Sequence, residues 1–458
     1  MPVAEPGSPQ RGDRRASSAR HPARWAAAVS GIRARRDAEA GFAAYARRDL
    51  SEASERFARA LKRYRAKNLH SAEAAECLNA LARIHHDQGD FAQAARAAQE
   101  AWDIARRIGT TRGQEETAGA LNNLARVDLA RGRYGDALTK FRQAHDLLTG
   151  HGRPTLASAV VQQNIGSVHD AMGDTAAALT HYQEALDTIA ALGGPGERRA
   201  GCLNNIALIH HQRGESDSAL SLLSEALELC QQAHLVAEGA TVLLNMGQIL
   251  VDRGDHPEGV RRMEAALRIR EAIATRSVAV ASAHERLAWA YLASGRIGGA
   301  AVQAHDAVDL ESELAPGSAG HATSLATAGA VQHATGDFGL ALRLQRQALT
   351  IHQAIQADSL GVATDLNNIG LIYHDIGDLR RATRYYTRAL ACFEARAPRS
   401  PAAATVHNNL GVVLRALGDL DGATRHLEAA LALDRQASAR SAAAAADLMN
   451  ISPGRRSS

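Results

Sequence analysis

The stretch Leu366–Leu390, LNNIGLIYHDIGDLRRATRYYTRAL, recurs in recognisable form along nearly the whole chain. Aligned on the turn residue, the copies carry Arg48, Gly89, Gly132, Gly173, Gly214, Gly254, Gly295, Gly336, Gly377 and Gly418, at intervals of 40 to 43 residues and mostly 41. Self-similarity at a fixed period of this size means that each copy is too small to bury its own apolar face, so successive copies must stack. Each copy reads as two amphipathic helices joined by a tight turn, Gly377-Asp378 in the template. Ten such units are present, and Asn450, 41 residues after Asn409, marks one further helix suited to capping the array.

Counting from the turn fixes the packing sites. Seven residues before it stand only Ala or Gly, as at Ala82, Gly166, Ala207 and Gly370; twelve after it stands Ala in every unit, from Ala60 to Ala430. Side chains this small at fixed sites imply close approach of helix backbones, where a larger residue costs about 1–3 kcal/mol by overpacking. The core stripe of the first helix lies 11, 8, 7 and 4 residues before the turn, one face of an α-helix.

Leu366, Ile369, Gly370 and Tyr373, followed by Ala382, Tyr386 and Ala389, resemble the tetratricopeptide repeat signature over about residues 25–451. The unit lacks the terminal Pro and is about seven residues longer than the usual 34. It is therefore similar to the long-helix variant of kinesin light chains and of the sensor arms of some bacterial regulatory ATPases. The resemblance implies an all-α, right-handed superhelical solenoid of ten helix-turn-helix units with a C-terminal capping helix. HEAT and armadillo repeats share the period but do not account for Gly-Asp together with the small-residue sites.

The domain reading is a disordered Arg/Pro/Ser-rich tail over 1–24, the solenoid over 25–451 and a disordered tail over 452–458. In the tail, Arg11, Arg14, Arg15, Arg20 and Arg24 outweigh Glu5 and Asp13, which fits a solvated segment. The units around Gly295 and Gly336 are weaker: Gly298 and Gly299 open a helix, and the aromatic or Leu of the second helix becomes Ala304 and Gln345. A flexible joint is expected at 295–345.

A net charge of +3 gives no argument for nucleic acid or another polyanion along the whole chain. Cys77, Cys202, Cys230 and Cys392 form no C-x-x-C pair, and no apolar run is long enough to span a membrane. A cytoplasmic protein, of bacterial type by the resemblance, is expected. No Gly-Lys dipeptide and no G-x-S-x-G occurs, and His284-Glu285 lacks a second His at Ala288. No catalytic, cofactor or metal site is assigned.

Nine residues before the turn stand Asn123, Asn164, Asn205, Asn245, Asn368 and Asn409, interrupted by Arg286 and Thr327. This site points roughly 150° from the centre of the core stripe. Stacking the units sets the first helices side by side, on the concave wall in the resembled family, and the asparagines then form a ladder. An Asn amide offers both a donor and an acceptor, so it can pair with one peptide unit without reading its side chain. Peptides in the resembled kinesin-type arrays are held in this way. Arg83 and Arg126 share the wall. The competing expectation is that the asparagines bond to neighbouring helices.

The sequence thus reads as a non-catalytic scaffold that binds an extended peptide or partner protein in an Asn-lined groove. The alternative is a peptide-sensing regulatory protein, the sensor arm of a bacterial transcriptional regulator or signalling ATPase system. Self-association through an imperfectly capped end is a third reading.

Overall fold

A computed structural model of the chain describes residues 20–47, 49–66, 71–150, 152–398 and 400–451, with side chains from 31 to 436 apart from 46 and the gaps. Arg48, most of the Arg-rich tail and residues 452–458 lie outside the described residues. Among the described residues there are twenty helices and no strand. In chain order they are α1 (Arg20–Ala46), α2 (Leu50–Arg65), α3 (Ala72–Asp87), α4 (Phe91–Ala105), α5 (Thr111–Ala130), α6 (Tyr134–Thr149) and α7 (Leu156–Ala171). Next come α8 (Thr175–Ala191), α9 (Gly196–Gln212), α10 (Ser216–Gln232), α11 (Val236–Asp252), α12 (His256–Ile273), α13 (Val278–Ala293) and α14 (Ile297–Leu314). The last six are α15 (Ala319–Ala334), α16 (Phe338–Ile355), α17 (Leu360–Ile376), α18 (Leu379–Arg396), α19 (Pro401–Ala416) and α20 (Leu420–Ile451). They form the ten hairpins of an all-α solenoid. The segment around Asn450 is helical, and it continues α20 without a break rather than folding as a separate helix.

The Gly-Asp turn works through two conformations in sequence. Gly89, Gly173, Gly254, Gly336 and Gly377 have φ between 77° and 95°, the left-handed region that closes a helix without a Cβ penalty. The following Asp90, Asp174, Asp255, Asp337 and Asp378 each cap the next helix, the side chain accepting from the backbone N–H three residues on. Where Arg133, Glu215 or Arg296 takes this place the side-chain cap is missing. Second helices run from 15 residues in α4 to 18 in α18.

Small and large residues face one another across several hairpins. A Cβ on Gly370 would lie 2.7 Å from the Tyr386 ring, one on Gly166 2.8 Å from Tyr182, and one on Gly411 2.7 Å from Leu427. Nine residues after the turn thus stands the side chain that fills the space left seven before it. Hairpins with Ala in the first helix carry a smaller partner at some positions: Ala207 with Leu223, and Ala288 with Ala304. Gln345 occupies the same place against Gly329, fully buried, its Nε2 donating to the Ala326 carbonyl at 2.8 Å.

The described residues group into two compact units, one up to Leu124 and one from Ala125. The first has a single core around Phe57, Tyr64, Leu78 and Ile84. In the second, one large core runs from Ala200 to Val331 and another from Val362 to Val413, with a small cluster of Ala322, Leu325 and Ala348 between them.

From α1 to α4 and from α7 to α20, each helix packs mainly on its hairpin partner and then on the next hairpin. In the second unit the first helices also touch one another, α9 with α11, α11 with α13, α13 with α15, α15 with α17 and α17 with α19. The first helices therefore make a continuous wall of that unit.

Candidate functional site

The wall is stitched by polar rungs between successive first helices. Nine residues before its turn, Asn245 donates from Nδ2 to Asn204 Oδ1 at 2.7 Å, Thr327 from its hydroxyl to Glu285 Oε1 at 2.6 Å, and Asn409 from Nδ2 to Asn367 Oδ1 at 3.1 Å. In the first unit, Asn123 Nδ2 donates to the Asn79 carbonyl at 3.1 Å and to its Oδ1 at 3.3 Å. The acceptor is always ten residues before the preceding turn. Arg286 extends the pattern, donating to Asn245 Oδ1 at 2.9 Å and to the Leu244 carbonyl at 3.3 Å.

A second set of rungs lies nearer the turns. Tyr45 donates to Asp87 at 2.9 Å in the first unit. In the second, Gln212 donates to Asp170 at 3.1 Å, His211 Nε2 lies 2.9 Å from Asp252, and His333 Nε2 lies 2.8 Å from Asp375. The partners stand three residues before one turn and two before the next, and in the Asp170 and Gln212 pair the donor and acceptor exchange places. Burial raises the Asp252 carboxyl, but hydrogen bonds from His211 and Gln248 outweigh it and hold the group below its ordinary value. Burial wins at Asp170 and at Glu285, both raised.

This geometry corrects part of the ladder. Asn123 is 5% exposed and Asn245 is 7% exposed, and both amides are engaged with neighbouring helices rather than presented to a trough. The physical reason is that an amide inside a helix stack meets a carbonyl of the adjacent helix before it meets solvent, and a buried amide left unpaired is costly. Asn409 is half-buried and engaged in the same way. Asn164, Asn205 and Asn368 are half-buried, Asn205 accepting from Asn204 at 3.4 Å and Asn164 holding a polar contact of its own. Arg83 is half-buried with its guanidinium 5.2 Å above the Tyr45 ring, and Arg126 is half-buried and also engaged.

Two features of the wall are absent from the sequence reading. One is the acceptor position ten before the turn, visible in the doublets Asn122-Asn123, Asn204-Asn205, Asn367-Asn368 and Asn408-Asn409. The other is Trp289 on α13, in the register of Arg83 and Arg126 and 44% exposed.

No group of three or more metal-ligating side chains is present among the described residues. The four cysteines are unpaired, and burial pushes the Cys77 thiol up to about 12 and the Cys202 thiol up to about 11, which leaves neither a reactive thiolate. No helix among the described residues is long and apolar enough to cross a membrane.

A family model described as tetratricopeptide repeat matches residues 116–191, 158–232, 320–395 and 362–436, just over half of the chain. The chain belongs to the tetratricopeptide repeat family. Two further repeat models of the same description match residues 74–108 and 244–319. No curated protein matches by sequence. Among solved structures, a Rap protein complexed with Competence and Sporulation Factor superposes with a TM-score of 0.58 at 12% identity, over 80% of this chain and 99% of that one. The apo form of the quorum sensor NprR from B. thuringiensis superposes with a TM-score of 0.52 at 13% identity, over 79% of this chain and 99% of that one. At these identities the likeness is one of fold: a tetratricopeptide solenoid.

Proposed function

We propose that this tetratricopeptide repeat protein is a non-catalytic scaffold that binds an extended peptide, or an extended segment of a partner protein, along the wall of first helices. The observation that carries the reading is Trp289, exposed at 44% on a wall otherwise closed by amide and carboxylate rungs. The buried rungs of Asn123 and Asn245 fix the spacing of the helices. In the second unit the half-buried Asn164, Asn205 and Asn368, with Arg126, form the polar surface against which the ligand lies; Arg83 belongs to the corresponding wall of the first unit. Several hydrogen bonds at about 1 kcal/mol each only offset the roughly 2–5 kcal/mol needed to order a peptide, so an apolar anchor has to supply the rest.

The solved structures of similar fold favour a peptide-sensing version of this reading. One of them is a Rap protein in complex with a named factor and another is a quorum sensor. In that version the ligand is a short signalling peptide, and the solenoid passes its binding on to a partner protein. The small cluster of Ala322, Leu325 and Ala348, set apart from the large core, then marks the neighbourhood of a joint at 295–345. Hydrogen exchange tests the joint: amides of α15 and α16 are expected to exchange faster than those of α11 and α12, and uniform protection would remove it.

Selection of peptides from a displayed library on the full chain tests the scaffold reading. Trp289→Ala is expected to weaken the selected peptides at least tenfold with the helical content unchanged. Equal binding by the variant contradicts the assignment.

A further inference from the structure

Away from the rungs, α16, α17 and α18 border an open pocket of 520 Å³ lined by Arg346, Tyr373, Arg381, Arg384, Tyr385 and Arg388. Arg381, Arg384 and Arg388 fall on one face of α18, a helix whose only acidic residue is Glu394. Of the four arginines lining the pocket, only Arg381 has a carboxylate within ion-pair distance among the described residues, Asp378 at 3.3 Å. Guanidinium groups gathered without counter-charge repel one another, so the cluster works against the stability of its own hairpin. The tyrosines hold it in place: their rings stack at 5.5 Å and 18°, and Arg381 and Arg388 lie 5.5 and 5.8 Å from the Tyr373 and Tyr385 centroids. Arg346 reaches across from α16 and donates to the Tyr373 hydroxyl at 2.7 Å, which leaves that hydroxyl its own hydrogen to donate.

We propose that this pocket binds a phosphoryl dianion. The aromatic faces are already in use, so a flat ring has no platform on which to stack. What the pocket offers is a surplus of N–H donors on planar forks that match tetrahedral oxyanions. A monocarboxylate brings one charge and two oxygens against three uncompensated guanidiniums, whereas a phosphoryl group brings nearly two charges and three strong acceptors. The site is built mainly on second helices and is independent of the peptide reading.

Calorimetric titration of the full chain with inorganic phosphate, O-phosphoserine and citrate at constant ionic strength tests the proposal. Phosphate is expected to bind saturably, and Arg384→Gln/Arg388→Gln to weaken it at least tenfold while raising the thermal midpoint of the unliganded protein, because repulsion is relieved. O-phosphoserine binding more tightly than phosphate assigns the pocket to a phosphoryl group carried on a side chain; the reverse order assigns it to the free ion. Absence of saturable phosphate binding, equal affinity in the variant, or citrate binding as tightly as phosphate overturns the proposal. Should the double variant not fold, Arg346→Gln carries the same expectation of tenfold loss.

Discussion

Arg396 donates from Nη1 to the Gly132 carbonyl at 2.6 Å across 264 residues of chain. The same guanidinium pairs with Asp358 at 2.6 Å, and the Gln356 amide lies so near Gly132 that a Cβ there would stand 2.7 Å from it. The turn of one hairpin is thus received by loops six hairpins further along, and the second unit curls until these segments meet. Arg396→Ala is expected to cost this unit about 1–3 kcal/mol, the range for a charge-assisted hydrogen bond whose partner is left unpaired. Spin labels near residues 132 and 396 are expected to give a broader and longer distance distribution in the variant. An unchanged distribution would show that the hairpins curl without the latch.

The rungs make a prediction that separates buried from half-buried asparagines. Asn245→Ala removes the bond to Asn204 and leaves the half-buried Arg286 short of an acceptor. The expected loss is about 1–3 kcal/mol. Asn205→Ala, half-buried, is expected to stay within about 0.5 kcal/mol. A double-mutant cycle on Asn204 and Asn245, read by denaturant unfolding, should return a coupling of about 0.5–3 kcal/mol. A coupling of zero would mean that the rung contributes nothing to stacking.

Complementarity across the hairpin is testable by exchanging one pair for another. Gly370→Ala drives a methyl against the Tyr386 ring, 2.7 Å from its nearest atoms, and should cost about 1–3 kcal/mol. Adding Tyr386→Leu recreates the Ala207 and Leu223 combination and should recover part of that loss, although Tyr386→Leu alone leaves a cavity. Strictly additive effects in thermal unfolding would contradict this account.

Glu116 gives the first unit a pH dependence. Burial pushes its carboxyl up to about 7, against the opposing hydrogen bond from Asn79 at 2.8 Å. A carboxyl raised in the folded state binds more protons there than in the unfolded chain, so stability falls as pH rises from about 4.5 towards 7 and is level beyond. Glu116→Gln should flatten this slope in urea midpoints measured across that window. A slope that survives the substitution belongs to another group.

The fold was legible because its determinants repeat: the positive-φ glycine, the capping aspartate and the small site seven before the turn are each local requirements met many times over. The site was legible only in part. The asparagine register gives a direction away from the core stripe, but direction from a helix axis does not say whether an amide meets solvent or the adjacent helix. Asn123 and Asn245 meet the helix. Their acceptors at Asn79 and Asn204 lie about one repeat away in sequence and become neighbours only once the hairpins stack. Trp289 has no counterpart in the other units, so the repeat pattern carries no signal for it.

Hydrogen exchange of the full chain with and without a saturating library-selected peptide tests the central claim most directly. The account predicts added protection on the first helices flanking Trp289, in α11, α13 and α15, with the second helices α12, α14 and α16 unchanged. Protection confined to second helices, or absent around Trp289 while the peptide is bound, would contradict it.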